Sequence, residues 1–198
     1  MNNKVLIYLH GFNGSPNSEI AKQIRSEINK YKNQIKFIAP DISGLQINEI
    51  LNTIKKLIQI NNNKQIILTG TSLGGYFATQ VFLQIYKNCK NKLILINPCL
   101  NPEKYIDDMM GEHTNDLTQK SVIITKEIKA QIQKMQISAI PNQTQILLLT
   151  QNDDERIDYK DAIKLLPNAK KIICSKGGHA FTNLNTVIPD LINFCELN

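Results

Sequence analysis

Gln65-Ile66-Ile67-Leu68-Thr69-Gly70-Thr71-Ser72-Leu73-Gly74-Gly75-Tyr76 begins as a short apolar run and closes on a glycine-rich turn that leads into a helical pattern. Such a run, with no polar alternation, reads as a strand buried on both faces. Gly70-Thr71-Ser72-Leu73-Gly74 satisfies the G-x-S-x-G nucleophile-elbow pattern in its strand, turn, helix setting. Small flanking residues permit a tight turn that projects the serine hydroxyl. The following helix brings its positive dipole end and free N–H groups close to developing negative charge. The pattern predicts Ser72 as a nucleophile, against the plainer alternative of a glycine-rich turn.

Working outward, five further apolar runs flank this one: Lys4 to Leu9, Lys36 to Ala39, Lys92 to Ile96, Gln145 to Thr150 and Lys170 to Cys174. Between the first two, Ile20, Ile24 and Ile28 form a helical stripe; Ile47, Ile50, Leu51, Ile54, Leu57 and Ile58 form a broader one before Gln65. Further helices are predicted from about Leu73 to Tyr86, Tyr159 to Leu166 and Asn185 to Cys195. Near-continuous apolar strands alternating with amphipathic helices predict an α/β fold, a parallel sheet with helices on both faces. The interval 101–142 is longer than a plain crossover needs and is expected to form a small, helical cap, including a stretch through Val122, Ile123, Ile124, Ile128 and Ile132.

A serine hydroxyl needs a base, and His179 in Lys176-Gly177-Gly178-His179-Ala180-Phe181 lies just after the last strand, where a loop can carry it to Ser72. His10 is expected to orient a loop, and His113 falls in the cap. The acid is expected from the turn after the fifth strand, Gln151-Asn152-Asp153-Asp154-Glu155-Arg156-Ile157-Asp158, giving the order serine, acid, histidine. Asp154 is favoured, then Asp158, then Asp153; spacing alone does not say which points inward. His10-Gly11-Phe12-Asn13-Gly14-Ser15-Pro16 follows the first strand, and its glycines allow N–H groups to turn toward an oxyanion. The backbone N–H groups of Phe12, with Asn13 as an alternative, and of Leu73 are the candidate oxyanion donors. Tyr76, Met109 and Met110 are the candidate substrate contacts.

The chain has 198 residues, 42% hydrophobic and 20% charged, the balance of a globular protein with one sizeable core, and 1–198 is read as a single domain. Net charge is +6, with lysines scattered and no helix-turn-helix, RNA-binding or zinc-finger signature, so no nucleic-acid partner is expected. Four cysteines without CxxC spacing and three histidines predict neither a disulfide framework nor a cysteine-rich zinc site. The first apolar run is too short for a signal peptide, and nothing approaches the about 20 apolar residues of a membrane span, so a cytoplasmic enzyme without membrane anchor is expected. Neither G-x-G-x-x-G nor a phosphate-binding Gly-Lys-Ser/Thr element is present, and no cofactor or metal is called for.

Tyr8 to Pro16, Gly70 to Tyr76, Asn97-Pro98, Asp154 to Tyr159 and Gly178-His179-Ala180-Phe181 together resemble the YqiA esterase family of small α/β-hydrolases over nearly the whole chain. The resemblance implies Ser72, Asp154 and His179 as a triad, and a six-stranded sheet that lacks the first two strands of larger α/β-hydrolases, in the order 2-1-3-4-5-6. The chain departs from the family at Gln151-Asn152-Asp153, where a glycine is common near the turn. The expected activity is hydrolysis of small or medium acyl esters through an acyl-enzyme. An acyl-CoA thioesterase using the same triad is the alternative within hydrolases, and a noncatalytic binding or interaction module on this fold is the alternative outside them. The expected partner is a small acyl ester or thioester, and the chain a monomer or homodimer.

Overall fold

In the computed structural model, which describes residues 2–197, each of the six apolar runs becomes a strand of one sheet. In chain order, the strands and α-helices are β1 (Lys4–Leu9), α1 (Glu19–Ile28), β2 (Ile35–Ile38), α2 (Ile47–Ile60), β3 (Gln65–Thr71), α3 (Leu73–Ile85) and β4 (Lys92–Ile96). They are followed by β5 (Gly111–Thr114), β6 (Ser121–Ile124), α4 (Lys126–Lys134), β7 (Ile146–Gln151), α5 (Tyr159–Leu165), β8 (Lys170–Cys174) and α6 (Ile188–Phe194). The sheet order is β2-β1-β3-β4-β7-β8 with every pairing parallel. Counting these six strands alone, it is the expected 2-1-3-4-5-6.

The absence of polar alternation has a direct cause. Successive side chains of a strand point to opposite faces. Val5, Ile7 and Leu9 pack into the core shared with α2, α3 and α5, while Leu6 and Tyr8 pack into the core shared with α1 and α6. Both faces of β1 are therefore covered. Each such side chain contributes about 1.5–3 kcal/mol on full burial. On α1, Ile20, Ala21, Ile24 and Ile28 are buried, and the Ser18 hydroxyl caps the first turn by accepting from the Ala21 amide. On α2, Ile47, Ile50 and Ile54 are buried, with the Glu49 carboxylate accepting from the Gln46 amide at the start. Helix α3 carries buried residues nearly all round, because it crosses between the sheet and the cap.

The cap is less helical than its sequence suggests. Segment 101–142 contains two short 3-10 turns, an antiparallel hairpin of β5 and β6, and only then α4. Val122-Ile123-Ile124, expected in a helix, lies in β6 opposite His113, Glu112 and Gly111. β-branched side chains lose rotamer freedom in a helix and fit a pleated strand, which decides this stretch once a partner strand is at hand. Thr125 then caps α4 through its hydroxyl, which accepts from the Ile128 amide. Among the described residues no helix is long and apolar enough to cross a membrane.

Candidate active site

The turn between β3 and α3 holds Ser72 at φ 51° and ψ −124°, a conformation that costs a non-glycine residue about 1–3 kcal/mol and persists only where its surroundings over-determine it. Here they do. The Ser72 amide donates to the Ile96 carbonyl (3.1 Å), and the Ser72 carbonyl accepts from the amides of Gly75 (2.9 Å) and Cys99 (3.0 Å). A Cβ on Gly70 would sit 2.3 Å from the Gly74 carbonyl oxygen, and one on Gly74 would sit 2.3 Å from that of Leu9. The glycines of the motif thus let α3 leave the strand at close range and push the hydroxyl clear of it.

Three side chains lie in series beyond that hydroxyl. His179 Nε2 is 3.1 Å from Ser72 Oγ, and His179 Nδ1 is 3.0 and 2.9 Å from Asp154 Oδ1 and Oδ2. A carboxylate only accepts, so Nδ1 carries the proton and Nε2 is free to accept from the serine. Burial pushes the Asp154 carboxyl up, but hydrogen bonds from His179 and from the Ile157 and Arg156 amides outweigh it and hold the carboxyl below its ordinary range. Its side chain is 2% exposed. The neighbouring acids are engaged elsewhere. Asp158 caps α5 by accepting from the Lys160 amide, Asp153 faces solvent, and Glu155 accepts from the His179 amide.

The histidine loop is held by two residues that motif reasoning did not single out by role. Asn97, buried at φ 40°, donates from Nδ2 to the carbonyls of Gly178 (3.0 Å) and His179 (3.1 Å) and accepts the Gln151 amide on Oδ1 (2.8 Å). Gln151 accepts from the Gly177 amide and donates to Asn183 Oδ1. In the sequence, Asn97 showed only as part of the Asn-Pro turn and Gln151 only as the start of the acidic turn.

Gly11 lies against Ser72; a Cβ there would be 3.0 Å from Ser72 Cβ. His10 Nε2 accepts from the Ile42 amide (3.2 Å), so its Nδ1 carries the proton and donates to the Gly11 carbonyl (2.9 Å). Burial pushes the His10 pKa down, keeping the ring neutral for that role. Among the described residues no peptide bond is cis, so pinning the Gly11 carbonyl toward His10 turns the Phe12 N–H the opposite way. The Leu73 N–H is at the first position of α3, where no partner exists within the helix. Both N–H groups can thus serve an anion beside Ser72.

Ser72, His179, Phe12, Leu73 and Met109 line one open cleft of about 520 Å³, together with Tyr105, Asp108 and Arg156. Tyr76 does not line it. The ring is buried in the core and its hydroxyl donates to the Met135 carbonyl, because α3 turns this position toward the cap base. Met110 is also outside the lining and is 36% exposed, since the chain turns outward into β5. Cys99 lines the cleft, but burial pushes its thiol up to about 12, which keeps it protonated and unreactive. Among the described residues no group of three or more His, Cys, Asp or Glu is arranged to hold a metal ion.

Residues 5–196 match the family described as "Uncharacterised protein family (UPF0227)". A UPF0227 protein of Vibrio vulnificus is 24% identical over 98% of this chain and 100% of its own length. Among solved structures, Est1E from Butyrivibrio proteoclasticus is similar with a TM-score of 0.73 at 14% identity, covering 98% of this chain and 87% of that one. The mouse alpha/beta hydrolase domain-containing protein 10 is similar with a TM-score of 0.70 at 18% identity, covering 96% and 89%. The fold is that of the α/β-hydrolases.

Proposed function

The chain belongs to the UPF0227 family, and on that premise we propose that it is a serine esterase hydrolysing small or medium acyl esters through Ser72, His179 and Asp154. The observation that carries this is the unbroken hydrogen-bond series from the Ser72 hydroxyl through His179 to a buried carboxylate, on a turn strained to expose the hydroxyl.

In the first half-reaction His179 Nε2 takes the Ser72 proton as Oγ bonds to the ester carbonyl carbon. The carbonyl electron pair moves onto oxygen, where the Phe12 and Leu73 N–H groups receive it. Asp154 balances the imidazolium. Collapse of the intermediate breaks the bond to the alkoxy oxygen, which leaves as the alcohol with the proton from His179. Water then gives a proton to His179 and attacks the acyl carbon. The bond to Oγ breaks, Ser72 regains a proton, and the acid departs. Each step is complete with the residues present.

An ester is preferred over an acyl-CoA thioester on the charge of the cleft. Arg156 is its cationic side chain outside the histidines, and it stands 3.8 Å from Glu155 with Asp108 also in the lining. The lining thus offers no cluster of cations to meet nucleotide phosphates. Intact-mass measurement after a fluorophosphonate probe tests the reading. One adduct on wild type, absent from folded Ser72→Ala and weakened in His179→Ala, is expected; an equal adduct on Ser72→Ala overturns the assignment. Parallel kinetics on matched esters and acyl-CoA compounds decide the leaving group.

A further inference from the structure

A second cavity, of about 80 Å³, adjoins the cleft and is roofed by the cap. The two share a wall that includes Gly11, Phe12, Leu73 and Met109. Beyond that wall the cavity is bounded by Ile50 of α2, Phe77 of α3, Val122 of β6, and Ile128 and Ile132 of α4. Four of its polar neighbours, Asn115, Lys120, Ser43 and His10, already have partners. Asn115 donates to the Gly14 carbonyl and accepts from the Leu117 and Thr118 amides, the Lys120 ammonium and the Ser43 hydroxyl both bind Asp41, and both His10 ring nitrogens are engaged. A polar ligand entering here finds few replacement partners for its water, whereas an apolar one gains by burial.

Resting on the esterase reading, we propose that this cavity is the acyl-chain subsite, and that the substrate is an ester of a linear aliphatic acid whose alcohol portion occupies the open cleft. Stereochemistry gives the direction. The departing oxygen must receive its proton from His179, and His179 lines the cleft and not the cavity. The alcohol therefore lies on the cleft side. With the carbonyl oxygen on the Phe12 and Leu73 amides, which belong to the shared wall, the remaining substituent of the acyl carbon is left at the cavity mouth. A volume of about 80 Å³, against roughly 10–15 Å³ for one water-sized site, admits a chain of about six carbons. Phe12 and Met109, standing between the two spaces, are the side chains past which the acyl chain must run.

The test is a series of p-nitrophenyl esters from acetyl to dodecanoyl with the full chain, beside fluorophosphonate labelling of Ser72. Specificity kcat/KM is expected to rise by up to about fourfold per methylene and to level near hexanoyl. Val122→Phe and Ile128→Phe, two half-buried wall positions, narrow the cavity from different elements. In each, once thermal unfolding verifies the fold, the hexanoyl-to-acetyl ratio is expected to fall about tenfold, the worth of roughly two buried methylenes. A flat chain-length profile, or an unchanged ratio in both folded variants, overturns the acyl subsite if Ser72 is labelled. Failure of Ser72 to label in wild type overturns the esterase reading beneath it.

Discussion

At Asp154 a single carboxylate fixes which ring nitrogen of His179 carries the proton and, under the proposed chemistry, balances the charge that ring gains when it takes a second. Asp154→Asn keeps the size of the side chain but removes both effects, and kcat for a simple ester is expected to fall about 10³–10⁴-fold with a folded protein. A loss under tenfold in steady-state kinetics would take the acid role from Asp154. Spacing alone reached this residue only as the first of three candidates, and the family resemblance implied it in the triad. What separates Asp154 from Asp158 and Asp153 is local backbone geometry. The Arg156 and Ile157 amides curl onto Asp154, while the next helix draws Asp158 to its N-terminus. No spacing rule contains that. Ser72 and His179 were legible as candidates because the strain at one and the loop carrying the other are written in glycines. Tyr76 was not, because position four on α3 looks like a neighbour of Ser72 in sequence but turns into the core from a helix covered nearly all round.

At the scale of elements, the sheet and its helices were legible from apolar periodicity, and the cap was not, since its fold depends on what it leans against. The β5–β6 turn rests on the loop that follows β1. Asn115, buried in that turn, donates to the Gly14 carbonyl at 2.7 Å, and Lys120 pairs with Asp41 at 2.8 Å; Asp41 in turn lies 3.7 Å from His10. Such contacts across 101 and 79 residues leave no periodic trace. Under the proposed chemistry the hairpin steadies the loop that aims the Phe12 N–H. Deleting one oxyanion donor outright costs about 10²–10³ in kcat. Loosening it by Asn115→Ala is expected to lower kcat about tenfold per active site titrated with fluorophosphonate, with KM within about twofold. A variant that merely lost stability would titrate fewer sites with kcat per site unchanged, and that result would reduce the contact to a structural one.

For the molecule as a whole, charge sets the acid limit of stability. The chain carries +6 at neutral pH, and protonating its carboxylates only adds to that repulsion. Folding also holds particular carboxyls below their ordinary values. At Asp41 burial acts upward, but the Lys120 and Ser43 hydrogen bonds prevail and bring it from 3.8 down to about 2; Asp154 is lowered as well. A carboxyl depressed by folding takes up its proton more readily in the unfolded chain, so stability falls as pH falls. The Asp41 contribution is complete above about pH 4 and drains away toward pH 2. One third of that side chain is exposed, so solvent and salt screen part of the effect. Urea unfolding from pH 6 to pH 2 is expected to show the midpoint dropping most steeply below pH 4 in wild type. In Asp41→Asn the starting midpoint is lower and the drop over the same window shallower, because the variant has no carboxyl there to protonate. Parallel curves for the two proteins below pH 4 would remove Asp41 from the acid response and leave it to the summed charge and to Asp154.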